Sequence, residues 1–455
     1  MNLTGIQHIY FLGIGGIGMS ALARYFKFHG YNVSGYDKTA TKLSKQLEEE
    51  GITISYQDQG KAIEKQLPKK EVTLIVYTPA VPDDHQEFMF FKEQNYIIKK
   101  RAEVLGLITK KHSGLAVAGT HGKTTTSTML AHLLQTSDKK CNAFLGGISS
   151  NYNSNLIIEK NSPWVVVEAD EFDRSFLHLY PEASIITSTE ADHLDIYKSP
   201  QHLVDAFELY AQQINKNGVL IHQYKIDIEA PCKKYSYGIN PTLENVDYTG
   251  NNLQFSNGVF TMDVSTPTGK WKKVALGIPG IHNAENALSV IAMGQYLDLD
   301  EGTIRKALAS FKGVKRRFEY HLNTEESIYI DDYAHHPTAI NSLIASLRLL
   351  YPDRKITGIF QPHLYSRTAD FMDDFADSLS KLDEVILLPI YPAREKPIEG
   401  ITSEVLLDKI NCYRKHLNSL EDVVNMVDKK NHDIILSIGA GDIDKIIEPL
   451  KNKLS

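Results

Sequence analysis

The run Leu115-Ala-Val-Ala118, Gly119-Thr120-His121-Gly122-Lys123-Thr124 constrains the fold more than any other part of the sequence. A short apolar run leads into a glycine-bounded turn, and Lys123 to Leu134 then has the apolar spacing of a helix, so a buried strand feeds directly into a helix. That succession belongs to layered α/β folds with a parallel sheet. It also makes an anion site. Backbone N–H groups and the positive end of the helix face a phosphate, Lys123 reaches its outer oxygens, and Thr124 offers a hydroxyl to a divalent ion. The common spacing G-x-x-x-x-G-K-[ST] would place its first glycine at position 117, which is Val117, so the loop is a shorter variant. The bland alternative is a glycine turn before a helix whose threonines serve as caps.

At 455 residues, and roughly 150 residues per domain, about three domains are expected. Before residue 110, short runs such as His8-Ile-Tyr-Phe-Leu12, Asn32-Val-Ser-Gly35 and Thr73-Leu-Ile-Val-Tyr77 alternate with helical stretches. A second series starts with the glycine loop and continues through Trp164-Val-Val-Val167 and Ser184-Ile-Ile-Thr187. Two helices follow it, Asn283 to Leu297 and Gly302 to Phe311, and 235–273 reads as a turn-rich β extension of the central sheet. A third series holds strands at Ser327-Ile-Tyr-Ile330, Ile356-Thr-Gly-Ile-Phe360, Val385-Ile-Leu-Leu388 and Asp433-Ile-Ile-Leu-Ser437, with helices Pro337 to Leu350 and Arg367 to Leu382 between them. The expectation is an α/β protein divided as 1–109, 110–314 and 315–455: an N-terminal Rossmann-like domain, a central P-loop ATPase-like domain with a mostly parallel sheet, and a C-terminal Rossmann-like domain.

Charge narrows the function classes. Against 49 basic residues stand 56 acidic ones, a net charge of -7, which gives no electrostatic reason to wrap nucleic acid or dock on anionic lipid. The three cysteines, Cys141, Cys232 and Cys412, form neither a disulfide framework nor a C-x-x-C pair. Glycines interrupt the apolar stretch after Ile9, so no signal peptide or membrane span is read there and a cytoplasmic protein is expected.

Four further constellations carry chemistry. Gly13-Ile-Gly15-Gly16-Ile-Gly18-Met19-Ser20 follows a strand and opens a helix, with Asp37 after the next strand. That is a dinucleotide fingerprint, although its physics reports only a pyrophosphate at a helix N-terminus, which a nicotinamide cofactor and a UDP-sugar satisfy equally. Glu168-Ala-Asp170-Glu171-Phe-Asp173 and Thr189-Glu190-Ala-Asp192-His193 each follow a strand; such hard donors suit a divalent ion shared with phosphate, or else are solvated caps. Gly280-Ile-His282-Asn283-Ala-Glu-Asn286 opens an amphipathic helix, where capping is the plain alternative. Beyond the basic run Lys315-Arg316-Arg317, the segments Asp331-Asp332-Tyr333-Ala-His335-His336-Pro337 and Gln361-Pro-His363-Leu364-Tyr-Ser-Arg367 each lie between a strand and a helix and would face one cleft. Paired histidines beside an acid also fit a zinc site or a core network.

The compact loop Gly119 to Thr124, continued by Thr125 and Thr126, resembles the ATP site of the Mur ligase family, whose members join amino acids to cell-wall precursors. The likeness runs through the other motifs in order. It implies ATP and Mg²⁺, with Gly119, Thr120, His121, Gly122, Lys123, Thr124, Thr125, His282, Asn283, Asn286, Arg317 and Asp332 on the nucleotide and Thr124, Glu168 and His193 on the metal. Gly13, Gly15, Gly16, Gly18, Met19, Ser20 and Asp37 would hold a UDP-sugar, and Tyr333, His335 and Arg367 would serve the amino acid, with Lys123, His335 and Arg367 catalytic. The activity implied is the joining of L-alanine to the carboxylate of UDP-N-acetylmuramate through an acyl phosphate, in peptidoglycan precursor synthesis. One departure is Leu364, where the family usually has arginine; its role of clamping a carboxylate would pass to Arg367 or Arg394. Rival readings are another amino-acid or murein-peptide ligase of the family, a nicotinamide-dependent oxidoreductase resting on Gly13 to Asp37, and a non-enzymatic nucleotide switch.

Overall fold

The computed structural model describes residues 3–191, 194–256, 258–393 and 395–455, the side chains of 194 and 195 excepted. Two compact units are distinguished: Met1–Thr249 with Ser265–Gly269 and Asn286–Leu308, and Gly250–Val264 with Lys270–Glu285 and Ala309–Ser455.

The first unit holds two sheets. Strands β1 (His8–Leu12), β2 (Asn32–Tyr36), β3 (Thr53–Ser55), β4 (Thr73–Tyr77) and β5 (Ile97–Lys100) lie in the order β3-β2-β1-β4-β5, all parallel. Every residue of β1 is buried, as an apolar strand at the centre of a parallel sheet covered on both faces should be. The second sheet contains β6 (Ser113–Ala118), β7 (Asn142–Ser149), β8 (Ser154–Ile157), β9 (Trp164–Glu168), β10 (Ala183–Ile186), β11 (Val219–Gln223) and β12 (Lys233–Ile239), ordered β12-β11-β10-β6-β9-β7-β8. Only its β7–β8 pairing is antiparallel among these neighbours. Helices α1 (Ile17–Phe28), α2 (Arg101–Thr109) and α3 (Lys123–Thr136) follow β1, β5 and β6.

One apolar core runs through this unit, from Phe11 and Phe26 of the first sheet layer to Phe144, Val167 and Phe207 of the second. Its seam is polar at one point. The buried amide of Asn155 donates to the Ile17 carbonyl at 2.6 Å and to Ser20 Oγ at 2.9 Å, tying the first turn of α1 to β8.

In the 235–273 region the expected β character appears as β12 followed by β13 (Tyr248–Ser256), β14 (Val259–Thr266) and β15 (Gly269–Leu276), and then by helix α4 (Ile281–Tyr296). The second unit is built on a sheet of β16 (Glu319–Asn323), β17 (Ile328–Asp332), β18 (Ile356–Phe360), β19 (Glu384–Leu387), β20 (Arg414–Leu417) and β21 (Ile434–Ile438), ordered β16-β17-β21-β18-β19-β20. Only β16 runs antiparallel to its neighbour. Helix α5 (Pro337–Leu350) matches expectation, whereas the single helix expected over 367–382 is two, α6 (Tyr365–Asp370) and α7 (Met372–Leu379). The break is at Phe371, which leaves helical geometry at φ -120° and ψ 24° and sets its ring edge-on to His336 at 4.6 Å. A tertiary contact thus overrides helical spacing that continues through the break.

Candidate functional site

Three loops of the first unit meet because their strands are neighbours. Strand β6 lies between β9 and β10, with Val117 opposite Glu168 and Ala118 opposite Ile186. The glycine loop, the acidic segment after β9 and the segment after β10 therefore leave the sheet at one edge, the ligand-binding edge of an open α/β sheet. Gly119 at φ +129° and Gly122 at φ +79° adopt left-handed backbone that a side chain disfavours. A Cβ on Gly119 would overlap Thr187 Oγ1, and one on Gly122 would lie 2.8 Å from Asn286 Oδ1. The loop is pinned to the β10 side by Thr120, whose N–H donates to the Ser188 carbonyl at 3.0 Å and whose hydroxyl donates to Ser188 Oγ at 2.9 Å. His121 faces Glu190 at 3.6 Å.

Lys123 turns back over its own loop. Its ammonium donates to the Gly119 carbonyl at 2.6 Å and sits 2.7 Å from Oε2 and 2.9 Å from Oε1 of Glu171, a side chain with 0% exposure. Burial works against the lysine charge, but the carboxylates of Glu171, Asp170 and Glu168 outweigh it and hold the pKa above the ordinary value. For Glu171, burial dominates and pushes the carboxyl up to about 7 despite Lys123. Thr124 and Thr125 are buried in the first turn of α3.

Glu168 ends β9, and its carboxylate occupies the space that a side chain on Gly146 would fill. Hydroxyl and carboxylate oxygens are the hard donors Mg²⁺ prefers, and that ion keeps waters and substrate oxygens in its shell, so this partial set fits it. Among the described residues no group of three or more His, Cys, Asp or Glu side chains has metal-holding geometry. His193 and Arg394 lie outside the described residues.

In the first sheet the loop Gly13 to Gly18 turns from β1 into α1. Asp37 accepts the Gly15 N–H at 2.7 Å and the Thr39 N–H at 3.1 Å, so this acid shapes the loop itself. The N–H groups of Gly13 and Ile14 bond the Tyr36 carbonyl, and that of Gly16 the Gly13 carbonyl. The first-turn amides of α1, from Ile17, Gly18 and Met19, remain as the anion-facing set. Sequence reasoning missed Arg101. Its guanidinium lies so close over Gly18 that a Cβ there would be 2.9 Å from Nη1, and it sits 3.6 Å from Asp170. Next to it, Lys100 pairs with Asp173 at 2.8 Å. The basic run Lys99-Lys100-Arg101 was the available signal.

In the second unit, β17 and β18 both pair with β21, so the loops after them share an edge. His335, His363, Tyr391 and Arg367 gather there. The His335 and His363 rings are 6.2 Å apart, His363 stacks on Tyr391 at 5.7 Å, and Arg367 Nη1 lies 3.4 Å from His363 Nδ1. Sequence reasoning had not assigned His363 or Tyr391. Leu364 caps α6 at φ +71°, a strained backbone for leucine, with its N–H donating to the Tyr391 carbonyl at 2.9 Å.

Arg316 and Arg317 are far from a solvated charge run. Their guanidinium carbons lie 5.3 and 4.9 Å from the Tyr333 ring centroid. Arg316 donates to the buried Asp331 at 3.1 Å and to the Gly439 carbonyl at 2.8 Å. Asp332 accepts the N–H of Phe318 at 2.7 Å and that of Ala334 at 2.8 Å, bracing the segment that carries Arg317. The half-buried His282 ring lies beside that of Phe318 and 3.4 Å from Ser346, and Asn283 donates to the Pro279 carbonyl at 2.7 Å. His336 takes the N-cap position of α5.

Comparison with known proteins follows the order of these segments. Residues 8–113 match the Mur ligase family, catalytic domain; 117–294 match the Mur ligase middle domain; 316–441 match the Mur ligase, glutamate ligase domain. A Flavobacterium psychrophilum protein named UDP-N-acetylmuramate--L-alanine ligase is 49% identical over 455 residues, spanning 100% of this chain and 99% of its own. Its namesake from Cytophaga hutchinsonii is 44% identical, spanning 99% and 97%. Among solved structures, the UDP-N-acetylmuramate-alanine ligase of Thermotoga maritima superposes with a TM-score of 0.83 at 28% identity, covering 98% of both chains. A murein peptide ligase from Psychrobacter arcticus, 23% identical with a TM-score of 0.69, shares the fold.

Proposed function

The chain belongs to the Mur ligase family, and from that premise we propose that it is an ATP-dependent, ADP-forming ligase that joins L-alanine to the carboxylate of UDP-N-acetylmuramate. The observation that carries this reading is the placement of Lys123 on its glycine loop at one sheet edge with the acidic segment after β9. End-to-end likeness to relatives named for the alanine reaction, at 44% and 49% identity, favours it over a murein-peptide ligase. A nicotinamide-dependent oxidoreductase leaves the Lys123 loop without a role.

The chain's work divides as 1–109 for the UDP-sugar, 110–314 for ATP and 315–455 for the amino acid. ATP phosphorylates the muramate carboxylate, forming a carboxyl–phosphate bond and releasing ADP. The L-alanine amine then attacks that carbonyl, expelling phosphate as the amide forms. Lys123 stabilises charge on the transferring phosphoryl group, and the loop amides orient the polyphosphate. Thr124, Glu168 and His193 would hold Mg²⁺, which would supply neutralising charge for the phosphate oxygens. Asn286 lines the glycine loop, and the family pattern assigns His282, Asn283, Arg317 and Asp332 to the nucleotide as well. Around the amine, His335 and Arg367 act with Tyr333, and the His363 and Tyr391 rings hold Arg367 in place. No helix among the described residues is long and apolar enough to cross a membrane; the nucleotide substrates of the proposed reaction support a cytoplasmic protein.

The test is phosphate release with ATP, Mg²⁺ and UDP-N-acetylmuramate across a panel of amino acids. Release should require the UDP-sugar and be fastest with L-alanine; release that ignores the UDP-sugar overturns the reading.

A further inference from the structure

Glu171 is a carboxylate that the reaction outlined above does not use, yet it is the side chain most closely engaged with the phosphate-loop lysine. Both of its oxygens lie within 2.9 Å of Lys123 Nζ, and its side chain has no exposed surface. Its backbone is equally committed, for the Glu171 carbonyl accepts the hydroxyl of the buried Tyr197 at 2.6 Å. Tyr197 closes the short helix Leu194–Tyr197, at the far end of the loop after β10. A single residue thus braces two of the three loops at the candidate nucleotide edge, and its carboxylate takes up the ammonium with which Lys123 would reach a polyphosphate oxygen.

A carboxylate paired this closely with the loop lysine competes with any incoming anion for the same ammonium. We propose that Glu171 is the resident counter-ion of Lys123, a positioning residue that engages its ammonium beside the glycine loop and is exchanged for the polyphosphate when nucleotide binds. This rests on the ATP-site reading of the loop. The exchange makes net binding the difference between two strong ion pairs, so nucleotide is held less tightly than the loop alone would hold it, and ADP leaves readily.

The sign of the effect separates this from a merely structural role. Titration calorimetry without divalent ions, using inorganic tripolyphosphate and ADP as probes, compares the full-length protein with Glu171→Gln, which keeps the shape and removes the charge. Affinity should rise about tenfold, the size of one charge-assisted hydrogen bond lost from the competing state. In a Lys123→Met background the same substitution should change nothing. Under turnover, the inhibition constant for ADP should fall together with kcat, leaving the KM for the UDP-sugar unmoved. Glu171→Asp, which keeps the charge but withdraws it by one methylene, supplies the same comparison with less disturbance if Glu171→Gln does not fold; it should bind tripolyphosphate more tightly than the parent. Unchanged or weaker binding in the folded variant overturns the proposal. Failure of the parent protein to bind either probe would instead overturn the ATP-site reading itself.

Discussion

The carboxylate of Asp37 holds the backbone N–H of Gly15 at 2.7 Å, across the gap between the end of β2 and the glycine loop after β1. An acid at this place in a dinucleotide fold is expected to bind a ribose hydroxyl; here it is part of the loop's own architecture. Asp37→Asn retains an acceptor and should leave the KM for the UDP-sugar within about twofold. Asp37→Ala removes the brace and should raise it about tenfold, at the strength of one charge-assisted hydrogen bond. Steady-state kinetics with varied UDP-N-acetylmuramate measures both, and equal effects would return Asp37 to a direct ligand role.

Lys123→Ala removes the one flexible cation on the glycine loop. Turnover should fall about 10³-fold, as for loss of a principal donor to the developing charge. Calorimetric binding of the UDP-sugar should be unchanged, because its loop sits on a different sheet. Normal ADP formation by this variant would refute the site.

Gly146 and Glu168 test the metal assignment from two sides. A Cβ at position 146 would overlap the Glu168 carboxylate, so Gly146→Ala should displace it. Both Gly146→Ala and Glu168→Gln should shift the Mg²⁺ titration of phosphate release to concentrations about tenfold higher. An unchanged titration in both would remove Glu168 from the ion.

His282 makes the stability of the chain pH-dependent. Burial, with the Arg317 guanidinium adding to it, lowers the histidine pKa from 6.5 to about 4. A folded-state pKa below the unfolded one means fewer protons bound when folded, so the contribution is intact above pH 6.5 and is lost as pH falls from there towards 4. The full shift corresponds to about 3 kcal/mol at most. Denaturant unfolding at pH 7 and pH 4.5 should show a smaller loss in His282→Gln than in the parent; equal losses would mean the ring is not held neutral.

Asp331→Asn leaves the half-buried Arg316 without its counter-charge beneath Tyr333. Ser437 donates to the same carboxylate at 2.5 Å, so two bonds weaken together. Unfolding free energy should drop by about 3 kcal/mol, the usual penalty for breaking one side of a buried pair. A loss below about 1 kcal/mol, typical of an exposed pair, would place Arg316 in solvent.

Local chemistry was enough for the α/β class and for both glycine loops. Glycine at 119 and 122 reports left-handed backbone without reference to any other element, and apolar runs such as β1 and β18 declare buried parallel strands by composition alone. What the sequence could not determine lies in pairs of residues far apart along the chain. Nothing near position 171 says that its carboxylate meets Lys123, 48 residues earlier, nor does anything at Arg101 say that its guanidinium covers Gly18. The break at Phe371 is of the same kind, for its spacing is helical and the chain leaves helical geometry where its ring packs against His336, 35 residues earlier. Periodicity and turn chemistry act over a few residues, whereas charge pairing and ring packing depend on which strands become neighbours. Sequence therefore named the chemistry of each loop, and sheet order decided which loops meet and which charges are already spent on one another.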